Sequence, residues 1–212
     1  MSPLLVAILA VAGLALGRVQ RAVIMRYAVP AGAPGPPRLA VEFAAALLLG
    51  ALAARIHPGL VLAAACWLAL CAVPLAFIDA AVRRLPDLLT AAAYAGTMVL
   101  LVLAAAADGH WNAMARAGLG GVALAGFYLL LLLVSPGGMG MGDVKAAASV
   151  GTLLAWPGWQ FLVAGGFAGF LLAAVCGMAL LVSGRATSKQ HIPFGPFMLA
   201  GAFAVILASS AG

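Results

Sequence analysis

The chain has 212 residues, of which 66% are hydrophobic and 8% are charged, against about 25% charged residues in an ordinary soluble domain. Its mean hydropathy is +1.19, and because one soluble core cannot bury that much apolar surface, the composition excludes a cytosolic globular enzyme, a disordered chain and a secreted disulfide scaffold. The formal net charge of +6 would suggest nucleic-acid binding in a soluble protein, but these basic residues flank apolar runs, which indicates orientation in a bilayer and no nucleic-acid partner.

The apolar runs predict an all-α fold, a polytopic transmembrane helical bundle. A spanning helix needs about 20 mostly apolar residues, and this length divides the chain into eight candidate spans. The sixth is short and could be a half-span or a re-entrant segment. We expect one membrane domain over 1–212, with the first span and a short loop in 1–38 and the core in 39–212. The candidate spans are residues 2–17, 39–56, 60–80, 88–107, 117–135, 144–156, 159–183 and 193–210.

The basic residues predict how this bundle is oriented. None precedes the first span, whereas Arg18, Arg21 and Arg26 follow it, which is the reverse of a signal peptide and indicates a retained helix with its N-terminus outside. Eight spans threaded from that start place nine of the 11 basic residues in or beside the loops on one side. The positive-inside rule therefore makes that side cytoplasmic. Its loops are residues 18–38, 81–87, 136–143 and 184–192.

The cysteines predict no metal site. All three lie inside apolar stretches, no two form a CxxC pair, and no histidine stands beside them at zinc-ligand spacing. We interpret them as small buried hydrophobes. They are Cys66, Cys71 and Cys176.

Three of the five acidic residues have structural interpretations. Asp108 is expected in a solvated turn. Glu42 is expected to be a helix-start acid or an ion-pair partner of Arg38. Asp87 directly follows Pro86 and is expected to be the N-cap of the fourth span, with direct chemistry as the alternative.

The other two acids, Asp79 and Asp143, point to chemistry. Asp79 ends the third span and Asp143 begins the sixth, so the threading puts both on the cytoplasmic side at similar depth. A carboxylate near hydrocarbon is costly and usually faces a cavity, a partner or a reaction. Two carboxylates in a poorly solvated place tend to share one proton. That arrangement suits peptide hydrolysis without metal or cofactor, because the ionised member activates water while the protonated member polarises the scissile carbonyl.

The residues beside Asp143 fit this role. Glycines lack a Cβ atom, so the backbone there can approach a substrate strand or a facing helix; these are Gly138, Gly140 and Gly142. The stretch lacks the Gly-Lys-Ser/Thr ending of a P-loop, which disfavours nucleotide binding. Lys145 is expected to reach the interface or to pair with Asp143. The prolines of Ile192–Phe197 predict only the turn that opens the eighth span.

At these residues the chain resembles the type IV prepilin peptidases, which are GxGD-type intramembrane aspartyl proteases. The resemblance rests on three segments, in matching order: Asp79 with Leu85-Pro86-Asp87, then Gly140–Lys145, then Ile192–Phe197. It implies cleavage of the basic leader of a prepilin or pseudopilin at the cytoplasmic face of a bacterial inner membrane, after a glycine that precedes the hydrophobic pilin helix. It also implies that Asp79 and Asp143 are catalytic. The implied supporting residues are Pro86, Asp87, Gly140, Gly142 and Lys145.

The chain departs from the family in one segment. Many members carry two zinc-binding CxxC pairs after the first span and also N-methylate the new pilin N-terminus with S-adenosylmethionine, but residues 18–38 contain no cysteine. We therefore predict no zinc and no other cofactor, and leave the methyltransferase activity open. The small size resembles the compact peptidases of Flp/Tad-type pilus systems.

Two other functions remain open from the sequence. Intramembrane aspartates also serve proton relays, so a proton-coupled membrane transporter is the main alternative. A catalytically silent membrane assembly factor is the other, and it would tolerate substitution of both aspartates. The oligomeric state is not predicted.

Overall fold

The computed structural model describes residues 2–28, 35–37, 39–134, 139–184 and 193–209. Across these residues the chain forms eight helices and no strand, which confirms the predicted all-α fold. They are α1 (Pro3–Ala28), α2 (Ala40–Ala53), α3 (Leu60–Val82), α4 (Asp87–Asp108), α5 (Trp111–Val134), α6 (Met141–Ala155), α7 (Trp159–Val182) and α8 (Gly195–Ala208).

The helices α1, α3, α4, α5 and α7 are long and apolar enough to cross a membrane, so the protein is a multi-pass membrane protein. The helices α2 and α8 are shorter, at 14 residues each. All three cysteines are unpaired, and Cys71 is buried.

Two predicted boundaries are wrong. Helix α1 continues to Ala28, whereas a loop was expected from residue 18. No proline interrupts residues 18–28, and Gln20 and Ile24 are buried, so packing extends the helix past the apolar run. Helix α5 begins at Trp111, which places Arg116 inside the helix and not in the preceding turn.

Helix α6 is short, as predicted. Its 15 residues rise roughly 22 Å, less than the roughly 30 Å of a hydrocarbon core. Most of its side chains are buried, including Val150 and Leu154, so α6 lies inside the bundle. Its C-terminal carbonyls are capped from α5, because Arg116 Nε donates to the carbonyl of Ala155 at 2.8 Å and Nη2 donates to that of Trp156.

Glycines allow close packing of α1 against α2. A Cβ atom on Gly13 would lie 2.6 Å from Cα of Ala46, and one on Gly17 would lie 2.5 Å from Cα of Glu42. Backbone contact of this kind replaces the hydrophobic driving force that membrane helices lack.

Proline interrupts α3 at position 74. Pro74 has no N–H group, so the carbonyl of Leu70 has no donor within the helix. The side-chain amide of Gln20 on α1 donates to that carbonyl at 3.0 Å. A side chain of α1 thus completes the hydrogen bonding of the helix that carries Asp79.

Four helix termini meet at one end of the bundle. Helix α3 ends there, and α4, α6 and α8 begin there: Gly142 of α6 packs on Leu85, and Gly195 of α8 contacts Asp79. We call this end the aspartate end.

Candidate active site

The structure brings Asp79 and Asp143 together at Gly195. Asp79 lies in the last turn of α3 and Asp143 in the first turn of α6, and the two residues are 4% and 6% exposed. The N–H of Gly195 donates to Oδ2 of Asp79 at 3.1 Å. A Cβ atom on Gly195 would lie 2.8 Å from that oxygen and 3.3 Å from Oδ1 of Asp143. Because both oxygens lie close to this one position, Oδ2 of Asp79 and Oδ1 of Asp143 can be no farther apart than these two distances added together.

The start of α6 orients the Asp143 carboxylate. Its Oδ2 accepts a hydrogen bond from the N–H of Gly140 at 3.0 Å, while the N–H of Asp143 donates to the Gly140 carbonyl at 3.1 Å. The other oxygen, Oδ1, is buried and has no hydrogen-bond partner in the described part of the chain. A buried acceptor without a donor costs free energy, so this oxygen is available to a water or a substrate.

Helix α3 stops one turn after Asp79. Arg83 has φ of 54°, in the left-handed region, and its N–H donates to the Asp79 carbonyl at 2.8 Å. The chain then passes to Leu85, whose Cβ would lie 2.7 Å from a Cβ atom on Gly142. Gly142 thereby lets α6 begin directly against the loop that follows Asp79.

Gly140 has a different environment, and Gly138 lies outside the described residues. The nearest atom to a Cβ on Gly140 would be Oδ2 of Asp143, at 3.6 Å, which is an ordinary contact. Its φ of −96° is open to any residue. Its contribution to the site is its N–H group.

Lys145 and Asp87 pair with each other. Nζ of Lys145 lies 2.6 Å from Oδ1 of Asp87, so the expected alternative of a Lys145–Asp143 pair is wrong. The two side chains are 45% and 78% exposed, and such a pair contributes about 0–1 kcal/mol. It links α6 to α4 at the rim of the aspartate end.

The prediction that Asp87 is an N-cap is also wrong. Pro86 occupies the N-cap position and α4 begins at Asp87 itself, because Pro86 holds the extended φ and ψ that precede a helix. Asp87 makes no side-chain cap and instead turns to Lys145. Its negative charge still suits the first turn of a helix.

The other two acids lie away from the pair. Glu42 is 6% exposed in the first turn of α2, and its Oε2 lies 3.7 Å from Nη1 of Arg21. Its expected partner Arg38 lies outside the described residues. Arg21 also donates to the carbonyls of Pro36 and Pro37, at 2.8 Å and 3.2 Å, which fixes the entry to α2. Asp108 is exposed at the end of α4.

Two residues in or beside the site, Gly195 and Tyr128, have no clear signal in the sequence. Gly195 was expected only as part of a helix-opening turn, although the flanking prolines marked an unusual segment. Tyr128 of α5 is fully buried, and its ring centroid lies 5.6 Å from that of Phe194, the residue before Gly195. A single tyrosine in an apolar run gives no signal that separates it from an interfacial anchor.

Comparison with known proteins gives a consistent result. The family model described as the type IV leader peptidase family matches residues 62–182, a segment that includes both Asp79 and Asp143. No solved structure matches the chain significantly.

The similar proteins are prepilin leader peptidase/N-methyltransferases. That of Aeromonas hydrophila is 34% identical over 178 residues, which cover 80% of this chain and 58% of the relative. That of Burkholderia pseudomallei (strain K96243) is 35% identical over 173 residues, 76% of this chain and 51% of the relative. That of Bacillus subtilis is 38% identical over 93 residues, 43% of this chain and 36% of the relative. The matched segments thus cover 58%, 51% and 36% of the lengths of these curated relatives.

Proposed function

The chain belongs to the type IV leader peptidase family, and we propose that it is itself a prepilin leader peptidase of the aspartic type. It hydrolyses the peptide bond between the basic leader and the hydrophobic N-terminal helix of a prepilin or pseudopilin. The observation that carries the proposal is the meeting of two buried carboxylates, Asp79 and Asp143, at Gly195.

The proposed mechanism needs only these carboxylates and water. The ionised carboxylate takes a proton from a water molecule, and the oxygen of that water bonds to the scissile carbonyl carbon. The protonated carboxylate donates to the carbonyl oxygen, since two adjacent buried carboxylates share a proton more easily than they both ionise. A proton then passes to the amide nitrogen as the C–N bond breaks.

The substrate segment must be extended at the scissile bond, because in a helix the scissile carbonyl would already accept a hydrogen bond and could not accept one from the aspartate pair. A groove of about 490 Å³ at the aspartate end offers such a segment a place beside the loop that follows Asp79. Its lining includes Tyr27, Ile78, Leu85 and Pro86.

We further propose that the aspartate end faces the cytoplasm of a bacterium, in its inner membrane. Arg83 and Arg84 lie at this end and Arg26 lies in the last turn of α1 beside it, whereas Arg116 caps the far end of α6. The positive-inside rule favours the more basic end as cytoplasmic.

A reporter that is active only in the cytoplasm tests this orientation. Inserted between Arg84 and Leu85, it should be active. The same reporter inserted at Gly109, at the far end of α4, should be silent, and the reverse pattern would contradict the orientation.

Substitution of each aspartate tests the function. Asp79→Asn and Asp143→Asn keep the side-chain volume but cannot exchange the shared proton, so each should abolish leader removal from a co-expressed prepilin. Glu42→Gln, which changes a buried acid away from the pair, is the matched control and should process the prepilin. Membrane levels of all variants are measured by immunoblot. Normal processing by either aspartate variant would refute the assignment.

The matched relatives are named for peptidase and methyltransferase activities, and nothing observed favours the transporter. The proposal covers the peptidase activity only.

A further inference from the structure

The hydroxyl of Tyr128 is buried without a partner. The residue is 0% exposed, and its hydroxyl makes no hydrogen bond within the described residues. A tyrosine hydroxyl that is removed from water normally has a hydrogen-bond partner, because an unmatched polar group is costly in an apolar interior.

The tyrosine ring is fixed beside the aspartate pair. Its centroid lies 5.6 Å from the ring of Phe194 and 5.8 Å from that of Phe170, and those two rings are 4.8 Å apart. Phe194 immediately precedes Gly195, whose N–H donates to Asp79 and where a Cβ atom would lie 3.3 Å from Oδ1 of Asp143. The rings of Phe170 on α7 and of Phe194, just before α8, therefore pack on Tyr128 next to the site.

A second polar atom of the site, on Asp143, is also without a partner in the described part of the chain, and Asp143 lies close to Gly195, the residue after Phe194. Oδ1 of Asp143 is likewise buried without a hydrogen-bond partner among these residues, so the two groups do not bond to each other. A donor and an acceptor that both lack a partner beside the same site can both be satisfied by one bound molecule, such as a hydrated peptide carbonyl.

On the basis of the proposed function, we infer that Tyr128 is a further catalytic residue of the peptidase. Its hydroxyl donates a hydrogen bond to the scissile carbonyl oxygen while the water oxygen bonds to the carbonyl carbon. Negative charge grows on that oxygen in the transition state, so a fixed donor there stabilises the transition state more than the substrate. The tyrosine keeps its own proton throughout, and the carboxylates carry the protons that move.

The substitution Tyr128→Phe tests this role. It removes the hydroxyl and keeps the three-ring packing. The purified full chain in detergent is given a synthetic peptide made of a basic leader, a glycine and an apolar helix. We expect kcat to fall about 10²-fold, the loss typical of one transition-state donor. KM should stay within about twofold and the Tm should not fall, because the ground-state contacts and the packing are retained.

Two controls separate the possible outcomes. Tyr94→Phe removes a hydroxyl from a 37% exposed tyrosine of α4 and should leave kcat unchanged. An unchanged kcat in Tyr128→Phe, with Asp143→Asn inactive, would overturn the inference and leave the peptidase function standing. A lowered Tm with unchanged kcat per folded enzyme would also overturn it, since the hydroxyl would then be structural. Cleavage by Asp143→Asn would overturn the proposed function itself.

Discussion

Three glycines at the aspartate pair differ in what an added methyl group would meet. At Gly195 it would lie 2.8 Å and 3.3 Å from the two carboxylates, and at Gly142 it would lie 2.7 Å from the Cβ of Leu85. At Gly140 the nearest atom would be 3.6 Å away. Only the first two positions therefore need the absence of a side chain.

These contacts predict how strongly an alanine at each of the three positions lowers the leader-cleavage rate. Gly195→Ala displaces a catalytic oxygen and should lower the leader-cleavage rate about 10²-fold, as small misplacements of reacting groups do. Gly142→Ala moves the loop after α3 and should cost about 1–3 kcal/mol of stability together with a smaller loss of rate. Gly140→Ala should stay within about threefold of the wild-type rate, because its N–H group is kept.

Cleavage rates and thermal unfolding in detergent check this order. Gly118→Ala is the control, because nothing lies within 4 Å of a Cβ atom at that position in α5. Equal damage from Gly140→Ala and Gly195→Ala would show that contact distances do not govern the site.

Several residues of the site could be predicted from the sequence and others could not. Asp79 and Asp143 stood out because carboxylates are rare in apolar spans and each one needs a reason. Gly195 and Tyr128 did not, since their importance comes from what packs against them. Of the two alternatives for Lys145, the pair with Asp143 is wrong, because the packing of α4 on α6 brings Asp87 to Lys145 and the sequence gives no sign of that packing.

Among the helices, α3 depends on α1 for one hydrogen bond. Pro74 leaves the Leu70 carbonyl without its helical donor, and Gln20 supplies one from the neighbouring helix. Pro74 lies five residues before Asp79 on the same helix, so the support acts close to the site.

This bond predicts that substitutions at positions 20 and 74 are coupled. Gln20→Leu strands a buried carbonyl and should lower the free energy of unfolding by about 1–3 kcal/mol. Pro74→Ala restores an N–H group within α3, so the same Gln20→Leu change should cost less in that background. Denaturant unfolding in detergent of the two single variants and the double variant measures the difference. Additive effects would contradict the interaction.

Helix boundaries were predicted where proline or glycine marks them and missed where packing sets them. The loops around Pro86 and Gly158 interrupt the predicted spans close to where α4 and α7 begin. The eleven residues that extend α1 beyond position 17 contain three arginines, so hydropathy alone ended the span too early. They are helical because Gln20 and Ile24 are buried against other helices.

Across the whole molecule, threading of apolar spans predicted the alternation of helices but not their neighbours. It put both aspartates on one side without saying how close they would be. Their meeting depends on α6 lying enclosed within the bundle and on α8 beginning with a glycine between the two carboxylates. Both are properties of tertiary packing, which hydropathy does not encode.

The amide of Gln20 also constrains how this protein can diverge. Gln20 lies outside the segment that the family model matches, whereas Pro74 and Leu70 lie inside it, so this hydrogen bond joins the two regions. A homologue that has a proline at this position of α3 is expected to have a hydrogen-bond donor on α1 as well. A homologue without that proline does not need the donor. A chimera that takes α1 from a homologue should therefore be more stable when that helix supplies a donor to the Leu70 carbonyl.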